Sequence, residues 1–406
     1  MIPPVYLYDD PADAAHFLPF TQSRPIGELR HGAYLLRERV SRAFAPVEGY
    51  LAAAHLAAYT EPEAPKVVGP QGGQVLFLRS SFAIEPKTFA MSMPPSSKGG
   101  GVGLRLTDEF GVTIGALMQA DAWRGADSID YKWPAFELKG TLLKGAWEIV
   151  AKLKATLEAD IEARREKQGP ARVPGGTALL GNAADLMIDD SAMIEPQVVF
   201  DTRGGPIWIR KGAEVRSFSY LAGPLVIGDK ARIVGGQVRE SSIGPRCVVH
   251  GEVSNCVFTG YTNKSHDGFL GHSVIGRWVN LGAGTINSNL KNTYGAVRLQ
   301  LGSERVETGL QFMGALIGDH VKTAIGTMIG TGSVIGTGAN LFGSRRPEAV
   351  VAPFAWGTEE PGRVVACRMF LQTASKVLPR RDVAFDDATR KYFEQVWTHC
   401  TGQPCA

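Results

Sequence analysis

The sequence predicts two architectures in series. An α/β domain is expected over residues 1–168, and a left-handed parallel β-helix of hexapeptide repeats over 177–344, with a C-terminal extension over 345–406 that carries a short helix. Three observations carry this reading. Aliphatic residues recur at a spacing of six, first as Ile209, Val215, Leu221, Ile227 and Ile233, again as Ile317, Thr323, Ile329, Ile335 and Leu341, and as the shorter piece Ile275–Leu281. A glycine often follows the aliphatic residue, as at Gly228, Gly276, Gly282, Gly330 and Gly336. Upstream of this pattern, strand-like apolar runs alternate with helical ones.

A period of six fits neither an α-helix nor a lone alternating strand. It fits a coil with three flat sides, each hexad supplying one side and one inward-pointing aliphatic residue that stacks on the next turn. The following Gly or Asn is expected to supply the positive-φ corners that other residues adopt only at a cost. One stretch, Asn289–Gln311, breaks the hexads and is expected to leave the coil as a loop of the kind that carries sites. Enzymes built on such coils commonly trimerise and transfer acyl groups between subunits, so a homotrimer is expected.

In the N-terminal part, Val5–Tyr8 and Gln74–Leu78 read as strands, and Leu35–Ala43 and Leu142–Ile161 as helices. The charged run from Glu162 to Pro170 reads as a solvated helix end before a linker, and Arg172-Val-Pro-Gly-Gly as a break. Gly99-Gly-Gly-Val-Gly precedes no helical pattern and reads as a turn. Beyond Arg345, Asp382–Cys400 reads as a helix capped by Asp386 or Thr389, placed to cover the open end of the coil or to meet a neighbouring subunit.

Composition narrows the function. The chain has 406 residues, 44% hydrophobic and 20% charged, and a formal charge of +3. That small excess makes no case for nucleic acid, and no run is long and apolar enough to predict a membrane span. The first ten residues have neither the basic start nor the apolar core of a signal peptide, so the cytoplasm is the expected compartment. The five cysteines, Cys247, Cys256, Cys367, Cys400 and Cys405, form no Cys-x-x-Cys pair and predict neither a disulfide framework nor a zinc site.

The segment from Asn263 to Leu290 contains His266, Leu270-Gly271, Ile275-Gly276, Asn280-Leu281-Gly282-Ala283-Gly284-Thr285 and Asn289 in fixed order. It resembles the acetyltransferase half of bacterial bifunctional N-acetylglucosamine-1-phosphate uridyltransferases/glucosamine-1-phosphate N-acetyltransferases. The N-terminal run Leu18-Pro-Phe-Thr-Gln-Ser-Arg-Pro-Ile-Gly-Glu-Leu-Arg-His-Gly, with Arg37-Glu38-Arg39 after it, is similar to a divergent branch of putative sugar nucleotidyltransferases that lacks the glycine-rich phosphate loop. Lys322-Thr-Ala-Ile-Gly-Thr and Asn340-Leu-Phe-Gly-Ser also look like that branch.

The resemblance implies acetyl transfer from acetyl-CoA to an amino-sugar phosphate in the β-helix. It also implies a nucleotidyltransferase-like N-terminal domain taking a nucleoside triphosphate or a nucleotide sugar, with Mg²⁺ as its metal. His266 is then the catalytic base, since imidazole titrates where a sugar ammonium must lose its proton. Asn280, Ala283 and Lys322 fall at coenzyme-binding positions, and Lys264 and Asn289 at sugar-binding ones. Asp267 faces away from His266, and His272 reads as structural. Leu290 and Phe269 stand where the family has tyrosines, and Val234 and Ser254 where it has phosphate-binding cations. Arg232, Arg239, Arg246 and Lys264 are the candidates to replace those, with Arg345-Arg346 a candidate for a coenzyme phosphate. In the N-terminal domain, Arg24 and Arg30 fall where the family holds phosphate. Arg79-Ser80-Ser81 replaces a metal-binding Asp, for which Asp9 and Asp10 are candidates. Two other readings stand beside this one: nucleotidyl transfer alone with the coil as a trimerising scaffold, and a non-catalytic sugar-nucleotide sensor.

Overall fold

The computed structural model describes residues 3–88, 103–165 and 172–405. The Gly99–Gly103 turn therefore lies, but for Gly103, outside the described residues, as does the linker predicted after Arg165.

The N-terminal part is a seven-stranded sheet with helices against it. In chain order its strands are β1 (Val5–Tyr8), β2 (Val47–Leu51), β3 (Lys66–Val67), β4 (Gln74–Arg79), β5 (Leu104–Thr107), β6 (Thr113–Gln119) and β7 (Ala135–Glu137), and they lie side by side as β7-β5-β6-β4-β1-β2-β3. Parallel pairing runs from β4 through β1 and β2 to β3, and β6 is antiparallel to both its neighbours. Helix α1 (Pro11–Ala14) follows β1 and α2 (Leu36–Ala43) precedes β2. The expected Leu142–Ile161 helix is shorter and divided. Residues Gly140–Leu142 pair with Phe82–Ile84 as a strand, and the helical turn is interrupted at Lys152 between α3 (Trp147–Ala151) and α4 (Leu153–Arg165).

The second part is a left-handed parallel β-helix with three faces. The first face begins at Ala178–Leu180 and reaches Phe269–Gly271, with the pair Ile286–Asn287 and Met328–Ile329 above it. The second runs from Leu186–Ile188 to Val350–Val351, and the third from Met193–Ile194 to Asn340–Leu341. The aliphatic period is what builds it: Ile209, Val215, Leu221, Ile227 and Ile233 are all buried in one continuous core. The coil does not keep strict hexads throughout, since Ile227 pairs with Ile243 and Ile243 with Phe258.

The glycines after the aliphatic residues have a different role from the one expected. Positive φ falls two residues later, at Lys230 (55°), Trp278 (63°) and His320 (59°). The glycine itself is needed because adjacent coils touch there: a Cβ on Gly228 would lie 2.6 Å from the Ile243 carbonyl oxygen, and one on Gly336 would lie 2.4 Å from Pro353 N. Close approach between coils fixes the residue, and the corner conformation is imposed on whatever follows.

The N-terminal domain lies along the second face. Outward residues of that face, Trp208, Val226, Val257, Val274, Leu316 and Val334, share one apolar core with Phe17, Phe20, Leu143, Leu153 and Leu157. The stretch that breaks the hexads folds into a hairpin, Arg298–Leu301 with Glu304–Glu307, whose Leu299 and Leu301 join this core. His16 Nε2 lies 3.0 Å from Glu304 Oε2. The expected site-bearing loop is thus a clasp between domains.

The C-terminal extension contributes α5 (Cys367–Val377) and α6 (Asp387–Thr401), the latter capped by Asp386. These helices pack on the corner residues Trp278, His320 and Phe354 and on Leu56 and Tyr59 of the N-terminal domain. Cys367 and Cys405 form a disulfide, a pairing that carries no spacing signature and that only the folded tail makes visible; Cys247, Cys256 and Cys400 are free. Among the described residues no helix is long and apolar enough to cross a membrane.

Gly228→Ala is expected to destabilise the protein by about 1–3 kcal/mol, because the added methyl must push two coils apart. Chemical denaturation would measure this, and an unchanged midpoint would remove the close-approach explanation.

Candidate functional site

Arg24 is fully buried between domains, and its setting decides its role. Its Nε donates to Asp319 Oδ2 at 2.8 Å, and its Nη2 lies 2.7 Å from the same oxygen and 3.5 Å from Glu61 Oε1. Arg277 continues the network, 3.0 Å from Glu61 and 3.7 Å from Glu28, and Glu28 accepts from Arg37 and from the Tyr50 hydroxyl, both at 2.6 Å. Burial opposes the charge on Arg24, but Asp319 and Glu61 outweigh it and hold the guanidinium protonated. Arg30 is also buried; its Nη1 donates to the Ala33 carbonyl at 2.7 Å, and desolvation pushes its pKa down to about 10. Neither arginine is open to a triphosphate, which corrects the expectation that they hold phosphate. The segment from Thr21 to Arg37 is the joint between the domains.

On the β-helix, register brings four of the predicted residues to one edge. Asn263, Asn280 and Lys322 stack on the third face, with Asn263 Nδ2 donating to Asn280 Oδ1 at 3.0 Å. Three residues further along each coil stand His266, Ala283 and Ile325 at the corner toward the first face. That corner is stitched by Gly284 N donating to the Asp267 carbonyl (3.0 Å) and Gly326 N to the Ala283 carbonyl (2.8 Å). His266 is exposed; Lys322, two coils along from Asn263, is half-buried, donates to the His320 carbonyl at 3.1 Å and has its pKa lowered to about 8 by desolvation. Large apolar side chains lie open around this edge: Ile325 is 80% exposed, with Met328 and Ile286 on the adjoining face.

Lys264 does not join this edge. It occupies an inward position in register with Val249, and its Nζ donates to the carbonyls of His250 (3.2 Å) and His266 (2.6 Å) at the corner. Burial lowers its pKa to about 8. It ties down the backbone under His266 and is not available to a sugar, a correction to its expected role. Asn289 lies on the first face, its Nδ2 2.8 Å from His272 Nδ1, and the His272 ring stacks on Phe312. Asp267 turns away from His266 and lies 3.1 Å from His250 Nδ1. Of the replacement cations, Arg232 is paired with Glu214, Arg239 with Glu252, Arg246 with Asp382 and Arg345 with Glu359.

A second site lies at the carboxyl ends of β1 and β2, where open α/β sheets bind ligands. A cavity of about 530 Å³ is lined by Tyr8, Asp9, Asp10, Thr21, His55, Trp123 and His399 among others. Trp123 stacks on Phe77 with ring centroids 4.2 Å apart, and the rings of His55 and His399 stack at 3.7 Å, so α6 contributes to a cavity of the N-terminal domain. Among the described residues no Lys or Arg lines it. Asp9 accepts from Ile26 N at 3.1 Å, and desolvation raises its pKa to about 7; Asp10 accepts from Ala12 N as the cap of α1. No three His, Cys, Asp or Glu side chains gather to hold a metal among the described residues. Asp9 is bound to the Ile26 backbone and Asp10 caps α1, and with no third such ligand gathered beside them among the described residues they do not fit a resident Mg²⁺. His55, Trp123 and His399 carry no motif; the strand-end position of β1 was the one signal pointing here.

Residues 5–168 match the model of the sugar nucleotidyl transferase family. Parts of the chain are also similar to known bifunctional proteins. The bifunctional sugar-1-phosphate nucleotidylyltransferase/acetyltransferase of Sulfurisphaera tokodaii is 36% identical over 100 residues, covering 25% of this chain and 24% of that protein. The bifunctional protein GlmU of Jannaschia sp. is 26% identical over 197 residues, covering 47% and 39%, and that of Bartonella quintana 30% identical over 162 residues, covering 38% and 32%. The matches thus span less than half the length of these relatives. Among solved structures, the UDP-N-acetylglucosamine acyltransferase from Campylobacter jejuni aligns over 57% of this chain and 85% of its own, at 11% identity and a TM-score of 0.28, too low a likeness to bear on function.

Arg24→Ala leaves Asp319 and Glu61 buried without their cation, and a stability loss of about 3–5 kcal/mol is expected. A shift in the urea midpoint would register it; an unchanged midpoint would free Arg24 for another role. Asp9 carries a second expectation. Its folded pKa lies above the unfolded value, so the native state binds the proton more tightly and Asp9 costs stability as pH rises from about 4 through about 7. Asp9→Asn should remove that component, so the stability of the variant relative to wild type should rise between pH 5 and pH 8. A pH-independent difference would contradict the raised pKa.

Proposed function

We propose that this chain is a sugar-phosphate or nucleotide-sugar transferase whose β-helix moves an acetyl group from acetyl-CoA to the amine of an amino-sugar phosphate. The observation that carries the reading is the convergence of His266 and Ala283 at one corner with Asn280 and Lys322 on the face beside it. His266 is solvent-accessible and takes a proton from the amine as its nitrogen attacks the thioester carbonyl. The C–N bond forms, the C–S bond breaks, and the imidazolium returns the proton to the departing thiolate. Lys322, cationic below its pKa of about 8, faces the coenzyme, and Asn280 and Ala283 line its groove.

A homotrimer completes this site. The second face is covered by the N-terminal domain, which leaves the first and third faces and the His266 corner between them for other copies. The exposed Ile286, Ile325 and Met328 are what such a contact would bury. The acyl donor and the nucleotide substrates place the reaction in the cytoplasm.

The N-terminal domain is read as binding a nucleotide sugar in the strand-end cavity, with Trp123 and Tyr8 as aromatic walls. The family match supports nucleotidyl transfer there. Among the described residues the lining carries no Lys or Arg, which favours binding without transfer. Calorimetric titration with UTP, dTTP and UDP-N-acetylglucosamine, with and without Mg²⁺, separates the two.

His266→Ala is expected to lower acetyl transfer by roughly two or more orders of magnitude while light scattering still reports the trimer. The assay is thiol release from acetyl-CoA over a panel of amino-sugar phosphates. A variant keeping most of the wild-type rate at saturation, or a monomeric wild type, would overturn the proposal.

A further inference from the structure

A second polar cleft, of about 240 Å³, opens between the domains on the side away from His266. The N-terminal domain supplies Tyr34, Arg42 and Arg164, from the strand before α2, from α2 and from α4. Successive corners between the second and third faces of the coil supply Asp189, Arg210, Lys211 and Asp229, with Trp208 on the strand below. The two rings meet edge to face with centroids 6.1 Å apart. Guanidinium groups of the cleft lie against them, Arg42 at 4.2 Å from the Tyr34 centroid and Arg210 and Arg164 at 5.1 and 5.9 Å from that of Trp208, with Arg39, bound to Asp160, 5.8 Å from Tyr34.

The charges in this cleft do not cancel. Arg210 is held by Asp229 through bonds of 2.9 and 3.2 Å, and the pair is neutral. Asp189 accepts from both the backbone and the hydroxyl of Ser191. Arg42, Arg164 and Lys211 have no carboxylate within ion-pair distance among the described residues. Arg164 Nε is moreover buried without a hydrogen-bond partner there. A buried donor left unmade is costly, and three cations against one carboxylate leave two positive charges in a concave space.

We propose that this cleft is a binding site for a phosphate dianion, free or as a terminal monoester, held by Arg42 and Arg164 from one domain and Lys211 from the other. Arginine forks match phosphate oxygens in pairs and are weakly hydrated, which suits a half-enclosed site. The volume admits phosphate, pyrophosphate or a small sugar phosphate and excludes a nucleotide sugar. Because the ligand would be gripped from both sides of the junction, its binding would add to the contacts that hold the domains together. The site is independent of both proposed transfer centres.

The test is calorimetric titration of the full chain with inorganic phosphate, pyrophosphate and glucose 1-phosphate in turn. At least one should bind and raise the melting temperature of the wild type, and their ranking identifies the source of the phosphate group. Arg42→Ala combined with Lys211→Ala should weaken that binding by about tenfold or more. Both side chains are exposed, so the core is undisturbed. Lys211→Glu, a single change at a corner, should weaken it by reversing one charge. No binding of any of the three at millimolar concentration overturns the proposal, as does binding that is unaltered in both variants.

Discussion

Six charged side chains meet at the junction, all but the rim residue Arg37 cut off from solvent: Arg24, Arg37 and Arg277 against Glu28, Glu61 and Asp319. Their charges sum to zero, and each carboxylate contacts at least one guanidinium, which is the condition under which buried ions are tolerable. The residues come from the N-terminal domain and from two corners of the coil. Tyr392 on α6 adds its hydroxyl, donated to the Ser23 carbonyl. The apolar contacts along the second face supply attraction between the domains, and this network supplies register. A sliding of one domain over the other by a single coil would part Arg24 from Asp319 and Arg277 from Glu61 and Glu28.

The β-helix was legible because its core period differs from that of any helix or strand. Ile209 through Ile233 needed no partner information to be placed. What could not be read was why glycine follows the aliphatic residue. Corner conformation and close approach of coils predict the same letter, and only the 2.6 Å gap between a Cβ on Gly228 and the Ile243 carbonyl separates them. The hairpin at 298–307 and the divided helix before Arg165 were illegible for a related reason. Both are shaped by contacts with distant residues, and their local patterns leave such contacts open.

At the candidate site, the spacing of Asn263, Asn280 and Lys322 becomes register on one face because a coil converts spacing directly into stacking. The same logic failed for Lys264. One residue separates an outward from an inward position on a strand, and a lysine was expected to face out. Arg24 and Arg30 lie in a motif that resembles a phosphate-binding segment, but the structure uses that motif to join domains. Arginine serves phosphate and carboxylate with the same fork, so the residue type alone could not tell the two uses apart.

A domain bonded along a whole face of a rigid prism has no hinge. The apolar strip that covers Trp208 through Val334, the clasp of the hairpin and the buried ions act on three separate lines of contact. The strand-end cavity and the His266 corner are therefore held at one separation and one orientation. Domain motion cannot carry a ligand from one to the other, and whatever each binds must reach it from bulk solvent.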